Sequence, residues 1–466
     1  MMSLGEMENL RKRVREITIE LLRLLGERNQ LVERIGKIKE QLGVEVFQPE
    51  VEKELRDLML REGRDLGLSP TLVEGLATVL FQASLNTQGK KGKSITHMDI
   101  LRKGLELRRA GVEVHHLEVG EPDLGAPKEV RIAVSQAVVD GRARYGDPRG
   151  LPELRKKISE HVNSRFGCDL VPDNFLVVPG GRFGVYLALK ALAGAGDEVI
   201  LLDPSWPMYR QCVEFVGARP VGVKTRLENG WRPSIENLEN MVNGSTKAII
   251  LNYPNNPTGK ILDRKDFEEI VELASERKLT LISDEVYLDY SFGQQSSVLD
   301  GYDVRYVVIQ SFSKSFGMTG YRVGYLIAEK ELIAKMTSLI SLMITCVPEF
   351  IQLGALRALD LENVPRKYSE IIRVRMETAA RELSKLPVTF YRPDGGMYVF
   401  PKLNLDDVDI TATTLKLLEK KGVAVAPGSI FGGYDSHFRI SLGASEESIT
   451  KGIRLMREFL SEEGLA

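Results

Sequence analysis

The sequence is poor in cysteine and histidine, and neither sign of charge is in excess. Three scattered cysteines among 466 residues, Cys168, Cys212 and Cys346, argue against a disulfide framework and fit a reducing cytoplasm. The five histidines form no i,i+4 ligand pair, so no metal site is predicted. Lys+Arg 63 against Asp+Glu 65 gives a formal net charge of -2, which offers no electrostatic basis for binding nucleic acid or an anionic membrane.

Long hydrophobic runs are also missing. No stretch approaches about 18 uninterrupted apolar residues, and the polar segment Met1 to Leu10 has no apolar signal core, so we expect neither a membrane span nor export. At roughly 150 residues per domain, the length favours two or three domains. An apolar fraction of 43% can fill their cores, and small-molecule chemistry is the default expectation.

The first 88 residues have the apolar periodicity of helices. From Leu10 to Leu42 the apolar residues recur at three- and four-residue steps, which predicts one long helix ending at Gly43. Two shorter helices are predicted by the start, stop and cap residues Pro49, Gly67, Ser69, Pro70 and Gln88. Three helices with one very long member do not make a compact monomer easily, so an intertwined dimer is expected.

Two cations lie on the apolar face of the predicted long helix. Arg28 is one heptad from both Leu21 and Ile35, and Lys39, eleven residues later, returns almost to the same face. An uncompensated buried cation is costly, so this face is expected to hold an anion. From the helix alone the alternative stays open that both side chains reach water or pair with acids such as Glu33.

The residue order of this segment resembles that of the all-helical (type II) chorismate mutases. The matching stretches are Leu10-Arg11, Leu25-Gly26-Glu27-Arg28, Ile35-Gly36-Lys37-Ile38-Lys39, Glu52 and Ser84-Leu85-Asn86-Thr87-Gln88. The resemblance implies that Arg28 and Arg11 of the partner subunit bind the carboxylates of chorismate, that Lys39 and Gln88 hold the ether oxygen, that Glu52 binds the ring hydroxyl, and that Ser84 lines the pocket.

A rearrangement of chorismate to prephenate fits such residues, because it needs no nucleophile or general base. It needs a compacted substrate and fixed donors where negative charge develops. Two positions depart from the family: Val51 stands where many relatives carry arginine, and Gln48 stands where aspartate is common. Either the pocket is weakened or another basic residue substitutes.

A polar, glycine-containing stretch, residues 89–94, predicts a linker between a helical domain, 1–88, and a second domain, 95–466. In the second domain strand and helix patterns alternate, which predicts a mainly parallel sheet covered by helices. The predicted strands are 114–119, 175–178, 198–202, 248–251, 279–283 and 306–310, and predicted helices begin at Val185 and span 263–278. Ligands of such sheets bind beyond the carboxyl ends of the strands.

The stretch Ser311-Phe312-Ser313-Lys314-Ser315-Phe316-Gly317-Met318-Thr319-Gly320-Tyr321-Arg322 follows the last of these strands. A lysine just past a strand end, among hydroxyls and glycines and with an arginine further along, suits a covalent link to an aldehyde cofactor that carries a phosphate. Taken singly, without its context, Lys314 would be read as a solvated loop lysine. The pattern Ser-x-Ser-Lys-x-x-x-x-x-Gly-x-Arg-x-Gly, however, resembles the signature of the fold-type I, class I/II pyridoxal-phosphate aminotransferases.

The resemblance implies a set of site residues around pyridoxal 5'-phosphate. The implied cofactor residues are Lys314, Asp284, Tyr287, Asn256, Trp206, Gly181, Arg182, Ser311, Ser313, Arg322 and, from the neighbouring subunit, Tyr145. The implied substrate residues are Gly120, Arg182 and Arg439. By their local sequence alone, the glycine pair could be a plain turn, Trp206 a core residue, Tyr145 a turn-packing aromatic and Arg439 part of a surface salt bridge. The family also implies a large domain over about 126–345 and a small domain from about 95–125 and 346–466.

The resemblance and the implied chemistry give roles to four of these residues. A carboxylate, Asp284, against the ring nitrogen keeps the ring protonated, and only a protonated ring drains electrons well from the substrate's α-carbon. Lys314, with a depressed pKa, then carries a proton between the α-carbon and the cofactor. Arg439 would grip the α-carboxylate, and we hypothesise that Arg182 reads a distal carboxylate of glutamate, aspartate or prephenate.

Two such domains in one chain suggest successive steps of aromatic amino-acid synthesis. Chorismate would become prephenate, and prephenate or an aromatic keto acid would be transaminated with glutamate or aspartate as donor, by a homodimer or higher homo-oligomer. One alternative is an aspartate-type aminotransferase with a non-catalytic helical dimerisation or effector-sensing domain. Others are a transcription regulator with an aminotransferase-like sensor domain and a related reaction such as β-elimination or decarboxylation.

Overall fold

The computed structural model describes residues 4–42, 49–88, 97–405 and 408–465. Its contacts divide the chain into two compact units, Met1–Ser94 and Ile95–Ala466. The predicted helix stop Gly43, the departure at Gln48 and the predicted linker lie outside the described residues, as do the side chains of Glu52 and Gln88. In the part that is described, no helix combines the length and the apolar character needed to cross a bilayer.

The first unit consists of three helices, as predicted: α1 (Leu4–Leu42), α2 (Pro49–Asp65) and α3 (Pro70–Gln88). Ser69 caps α3, its hydroxyl accepting from the Leu72 N–H at 3.3 Å, and Gly67 takes a φ of 71° after α2. The apolar face of α1 is largely exposed in the single chain, with Val14 63% and Leu21 56% exposed. Such a face needs a partner surface to become buried.

The second unit contains thirteen helices among its described residues. They are α4 (His97–Arg109), α5 (Lys128–Val139), α6 (Pro152–Phe166), α7 (Gly181–Leu192), α8 (Pro207–Phe215), α9 (Ile235–Met241), α10 (Arg264–Glu276), α11 (Phe312–Ser315), α12 (Lys330–Ile344), α13 (Glu349–Ala358), α14 (Asn363–Leu383), α15 (Ile410–Lys421) and α16 (Glu446–Glu462). The predicted start at Val185 is wrong by four residues, because the glycine turn enters α7 directly at Gly181.

The strands of this unit alternate with its helices for most of its length. They are β1 (His115–His116), β2 (Phe175–Val178), β3 (Glu198–Asp203), β4 (Arg219–Lys224), β5 (Thr246–Asn252), β6 (Thr280–Asp284), β7 (Arg305–Ser311), β8 (Gly324–Ala328), β9 (Val388–Thr389), β10 (Tyr398–Val399), β11 (Lys402–Leu403), β12 (Val423–Ala424), β13 (Ala426–Pro427) and β14 (Phe438–Ser441). Strands β4 and β8 and the short strands β9 to β14 were not predicted from the sequence.

Seven strands form one sheet in the order β2-β8-β7-β6-β5-β3-β4. β8 runs antiparallel to both of its neighbours and the other pairings are parallel, which confirms the mainly parallel sheet. Successive residues of β3 enter opposite cores: Ile200 and Leu202 pack on one face, Val199 and Leu201 on the other. Burial on both faces explains why the strands read as continuous apolar runs.

The remaining strands form three small sheets apart from the seven-stranded one: β1 with β12, β9 with β11, and β10-β14-β13. The predicted strand over 114–119 is wrong in length, since β1 has only two residues. The chain changes partners at Leu117, whose N–H donates to Ala424 while its carbonyl accepts from the Ser441 N–H. Residues 117–120 therefore leave the ladder and run toward the carboxyl edge of the large sheet.

Candidate active site

A cavity of about 450 Å³ opens at the carboxyl edge of the seven-stranded sheet. The predicted residues that line it are Gly120, Gly181, Arg182, Trp206, Asn256, Asp284, Tyr287, Ser311, Ser313, Lys314, Arg322 and Arg439. They come from strand ends and turns far apart in sequence, and parallel strands bring those ends to one edge. Tyr145 does not line the cavity; it is 89% exposed in the single chain.

Lys314 lies on α11, directly after β7. Its position is fixed by Ser311, whose side chain accepts from the Ser313 N–H at 3.2 Å, and by Tyr290, whose hydroxyl donates to the Lys314 carbonyl at 2.7 Å. The Lys314 ammonium donates to the Gly120 carbonyl. Burial lowers the pKa of Lys314 to about 8, with the guanidinium of Arg439 adding to the effect against the opposing charge of Glu121. The amine can therefore lose its proton near physiological pH.

Asp284, the last residue of β6, presents a buried carboxyl group to the cavity. The Tyr209 hydroxyl donates to Asp284 Oδ2 at 2.6 Å, and the Val286 N–H donates to Oδ1 at 3.3 Å. Burial raises the pKa of Asp284 to about 6, against the effect of the Tyr209 hydrogen bond. Sequence reasoning missed this role of Tyr209. The available signal was the position of Tyr209 three residues after Trp206, which places the two rings side by side, 5.3 Å apart.

Tyr287 and Asn256 supply further polar groups to the wall of the cavity. The Tyr287 and Tyr398 hydroxyls are 2.8 Å apart, and burial raises the pKa of Tyr287 well above its usual range. The Asn256 N–H donates to Asn252 Oδ1 at 3.0 Å, and Asn256 Oδ1 accepts from Arg439 at 2.8 Å. The side-chain nitrogen Nδ2 of Asn256 and one of the two tyrosine hydroxyls are thus left as donors toward a ligand.

One end of the cavity has the groups of an anion site. Gly181 begins α7, and the Ser311 and Ser313 hydroxyls lie 2.9 Å apart. Arg322 donates to the Thr319 carbonyl at 2.6 Å, and burial together with the positive charge of Arg182 lowers the Arg322 pKa. Gly180 has a φ of 81°, and a Cβ there would fall 2.5 Å from Arg322 Nη2. A helix N-terminus, hydroxyls and arginine converge as phosphate binding requires.

Arg439 on β14 also lines the cavity. Its guanidinium lies 4.4 Å from the centre of the Tyr398 ring and 5.0 Å from that of Phe431. Its Nη2 donates to the Glu118 carbonyl, and its buried Nε has no hydrogen-bond partner among the described residues. The surface salt-bridge reading of Arg439 is therefore wrong, because the side chain is buried at the cavity with N–H groups to spare.

Two further predicted residues shape the walls. At Gly120 an added Cβ would fall 1.9 Å from the Tyr398 hydroxyl, so only glycine leaves room there. The exposed Arg182 guanidinium lies 5.2 Å from the centre of the Trp206 ring, which is a cation–π distance. Met98 and Leu101 on α4 also line the cavity, and no sequence signal identified them.

In the first unit the structure brings some of the predicted mutase residues together. Arg28, half-buried on α1, and Ser84, buried on α3, both donate to the Leu80 carbonyl, at 3.3 and 2.7 Å. Lys39 is half-buried on the same helix. Arg11 is exposed and lies about 26 Å from Arg28 along α1, at 1.5 Å per residue. One chain cannot place Arg11 beside Arg28, whereas the Arg11 of a partner chain could come close.

Comparisons with known proteins match both units. Residues 112–455 match the family model described as aminotransferase class I and II, and residues 10–89 match that of chorismate mutase type II. A probable aspartate/prephenate aminotransferase of Aquifex aeolicus is 35% identical over 383 residues, covering 78% of this chain and 95% of that protein. An aspartate/prephenate aminotransferase of Thermus thermophilus is 34% identical over 356 residues, covering 75% and 92%. The crystal structure of aspartate aminotransferase from Thermotoga maritima aligns with a TM-score of 0.75 at 33% identity, covering 79% of this chain and 98% of that one.

Proposed function

The chain belongs to the class I and II aminotransferases and carries a type II chorismate mutase domain N-terminal to its aminotransferase domain. On this basis we propose that it catalyses two reactions of aromatic amino-acid biosynthesis. The first unit would rearrange chorismate to prephenate. The second would transfer an amino group from glutamate or aspartate to prephenate or an aromatic keto acid.

Aminotransferases of this class depend on pyridoxal phosphate, and the cavity of this chain fits that cofactor. The observation that supports it best is the arrangement of a buried amine, Lys314, and a buried acid, Asp284, in one cavity with an anion site at its end. Glycines at 120 and 181 leave space, since a Cβ on Gly181 would meet Val286 at 3.0 Å. When bound, the cofactor supplies an electron sink for the substrate's α-carbon.

Each group of the cavity then has a defined role. Lys314 would form the covalent link to the cofactor aldehyde, and its near-neutral pKa lets Nζ accept and return a proton at the α-carbon. Asp284, held by Tyr209, would pair with the ring nitrogen. The residues that would hold the rest of the cofactor are Asn256 and Tyr287 at the phenolic oxygen, Trp206 over the ring, and Gly181, Arg182, Ser311, Ser313 and Arg322 at the phosphate.

The substrate would lie between two cations. Arg439 offers unused N–H groups and would bind the α-carboxylate bidentately. At Arg182 the backbone N–H would serve the phosphate, and the exposed guanidinium in the lining of the same cavity would read a distal carboxylate. The relatives named aspartate/prephenate aminotransferase favour dicarboxylic substrates for this chain too. An Arg182→Ala variant should lose activity with dicarboxylates, and unchanged kinetics would remove this role.

For the mutase site we propose Arg28, Lys39, Glu52, Ser84 and Gln88 from one chain and Arg11 of the partner subunit. The shared Leu80 carbonyl places Arg28 and Ser84 side by side, and fixed donors suffice for a unimolecular rearrangement. The exposed apolar face of α1 and the exposed Tyr145 support a homodimer in which each chain completes its neighbour's sites. A cytoplasmic location stays a prediction from the cysteine usage.

The test uses the purified full chain. Borohydride reduction of the cofactor-loaded protein should fix the cofactor on the peptide that contains Lys314, as seen by mass spectrometry. Chorismate should disappear in the absence of amino donor, and glutamate or aspartate should yield its keto acid in the presence of an aromatic acceptor. Label on another lysine, or no reaction with any donor, would contradict the proposal.

A second function is favoured by one observation. Val51, which stands where many mutases carry arginine, is 56% exposed and supplies no charge. In that alternative the helical unit only dimerises the chain or senses an effector. Intact transamination without any consumption of chorismate would support this reading over the bifunctional one.

A further inference from the structure

Residues 118–120 supply backbone acceptors to two cations of the cavity, Arg439 and Lys314. The Glu118 carbonyl accepts from Arg439 Nη2, and the Gly120 carbonyl accepts from the Lys314 ammonium. The placement of these two carbonyls therefore sets the placement of both cationic heads. What holds the stretch itself matters for the geometry of the site.

A side-chain pair that adjoins residues 118–120 is used by none of the roles assigned so far. His116 Nδ1 lies 2.8 Å from Glu118 Oε1, and the Glu118 side chain is 0% exposed. The other carboxylate oxygen, Oε2, has no hydrogen-bond partner in the described part of the chain. A carboxylate taken out of water this completely depends on its few partners, so the bond to His116 holds Glu118 in place.

The pair is wedged against α4 as well. A Cβ added at Gly104 of α4 would lie 2.8 Å from His116 Cε1, so the ring packs directly on the helix backbone. Close packing on one side and the carboxylate on the other leave His116 little freedom to move. The backbone of residues 116–118 is accordingly fixed by side chains and not only by its short β1 ladder.

Arg439 depends on this placement. Its Nη1 donates to Asn256 Oδ1 at 2.8 Å, and its Nη2 donates to the Glu118 carbonyl. The Tyr398 and Phe431 rings lie within cation–π distance of the guanidinium. A guanidinium has five N–H groups, so these two bonds leave others for a carboxylate. Bidentate binding requires both Nη atoms to keep their orientation, and a shift of about 1 Å at a substrate-positioning group can cost up to about a hundredfold in rate.

We propose that His116 and Glu118 are positioning residues for Arg439. Their pairing fixes the Glu118 carbonyl, and that carbonyl orients the guanidinium for the carboxylate of the amino-acid substrate. The inference rests on the proposed transaminase function, and on the role of Arg439 within it. Neither residue contacts the substrate in this account.

The neighbouring histidine provides a matched control. His115 points to the opposite face, where its Nδ1 lies 3.0 Å from the Ser448 hydroxyl and its Cβ lies near α16. It belongs to the same two-residue strand and is more deeply buried than His116, with 7% against 21% of the side chain exposed. Its loss should affect packing without moving the Glu118 carbonyl.

The experiment compares His116→Ala, His116→Asn and His115→Ala in the cofactor-loaded full chain. Asparagine carries an amide nitrogen close to the place of a histidine Nδ1, so it can restore the bond to Glu118. Steady-state kinetics with glutamate give kcat and KM, and calorimetry gives the Kd of succinate, a carboxylate probe that cannot react. His116→Ala should raise KM and the succinate Kd about tenfold with a smaller change in kcat, His116→Asn should stay within about threefold, and His115→Ala within about twofold.

A double variant, His116→Leu with Glu118→Leu, keeps the test decisive if His116→Ala fails to fold. Removing both polar partners of a buried pair is close to neutral for stability, so this protein should fold and still show the raised KM. Equal effects of His116→Ala and His115→Ala, or a normal KM in the double variant, would overturn the inference. Absence of transamination in the wild-type chain would instead defeat the proposed function.

Discussion

The two units of the chain present their candidate sites in opposite ways. The second unit encloses its cavity with residues of one chain, several of them buried, and only Tyr145 among the predicted residues points away from it. The first unit distributes its predicted residues over three helices, with Arg28 of α1 and Ser84 of α3 adjacent and the exposed Arg11 about 26 Å from Arg28 along α1 at 1.5 Å per residue.

The difference follows from the architecture of each unit. A parallel sheet gathers strand ends from distant parts of the sequence at one edge, so one chain suffices to build a site there. A long helix separates residues in proportion to their spacing, and its apolar face remains exposed until a second chain covers it. We therefore expect two sites that are chemically independent and that depend differently on assembly.

The largest effect should come from Lys314→Ala, and this variant tests whether the two sites act independently. Transamination should fall by about 10⁴-fold or more, because both the covalent link and the proton carrier are lost. Chorismate consumption should be unchanged. Lys265→Ala, an exposed lysine with an ion pair to Glu269 at 3.8 Å, is the control. Parallel loss of both activities in Lys314→Ala would contradict independence of the sites.

Arg28→Ala should do the reverse. Chorismate consumption should fall by about 10² to 10³-fold, since a cation that would bind a carboxylate of chorismate and position the substrate is removed, and transamination should persist. Arg23→Ala on the same helix removes an exposed partner of Glu20, at 3.3 Å, and should leave both rates unchanged. A fall in Arg23→Ala as large as in Arg28→Ala would show that helix stability, and not the pocket, was tested.

The pH dependence of cofactor affinity should be governed in part by Asp284. Its pKa of about 6 in the cofactor-free protein means that it is ionised above pH 6 and holds a proton below it. A protonated cofactor ring binds the ionised form, so the affinity advantage of wild type over Asp284→Asn should shrink about fivefold between pH 6 and pH 5. Equilibrium titration with pyridoxine phosphate, which cannot link to Lys314, measures it. A constant ratio between the two proteins would contradict this role.

The smallest effect should come from Tyr145→Phe. Tyr145 is the predicted residue of the second unit that does not line the cavity of its own chain. If the exposed hydroxyl reaches the phosphate bound by a neighbouring chain, its loss should raise the cofactor Kd by about fivefold. The control is Tyr302→Phe, which removes a hydroxyl that bonds Glu268 at 3.3 Å, far from the cavity lining. Equal affinity of Tyr145→Phe and wild type would place Tyr145 outside both sites.

Much of the second unit could be predicted from sequence because its motifs are local. Turns such as the one after Val178 and the helical turn of Lys314 are specified by glycines and hydroxyls within a few residues, and the apolar runs specify the strands before them. The edge to which those turns belong then follows from parallel topology. The three-helix segmentation of the first unit was equally local, given by Pro49, Gly67 and Ser69.

The features that escaped prediction depend on contacts between distant segments. The bond from Tyr209 to Asp284 joins residues 75 positions apart, and the Glu118 carbonyl meets Arg439 across 321 positions. β8 was missed because an antiparallel strand inside a parallel sheet has no signature of its own in an apolar run. No periodicity reveals such pairings, since they arise only when separate elements pack.

The central claim is that one chain performs both reactions, and a single time course tests it most directly. Purified protein loaded with cofactor is given chorismate and glutamate, and the products are followed by mass spectrometry. Wild type should convert chorismate to an aminated product, Lys314→Ala should accumulate the unaminated rearrangement product, and Arg28→Ala should leave chorismate largely intact. Chorismate that stays unconsumed by wild type while glutamate still transaminates an added keto acid would contradict the claim.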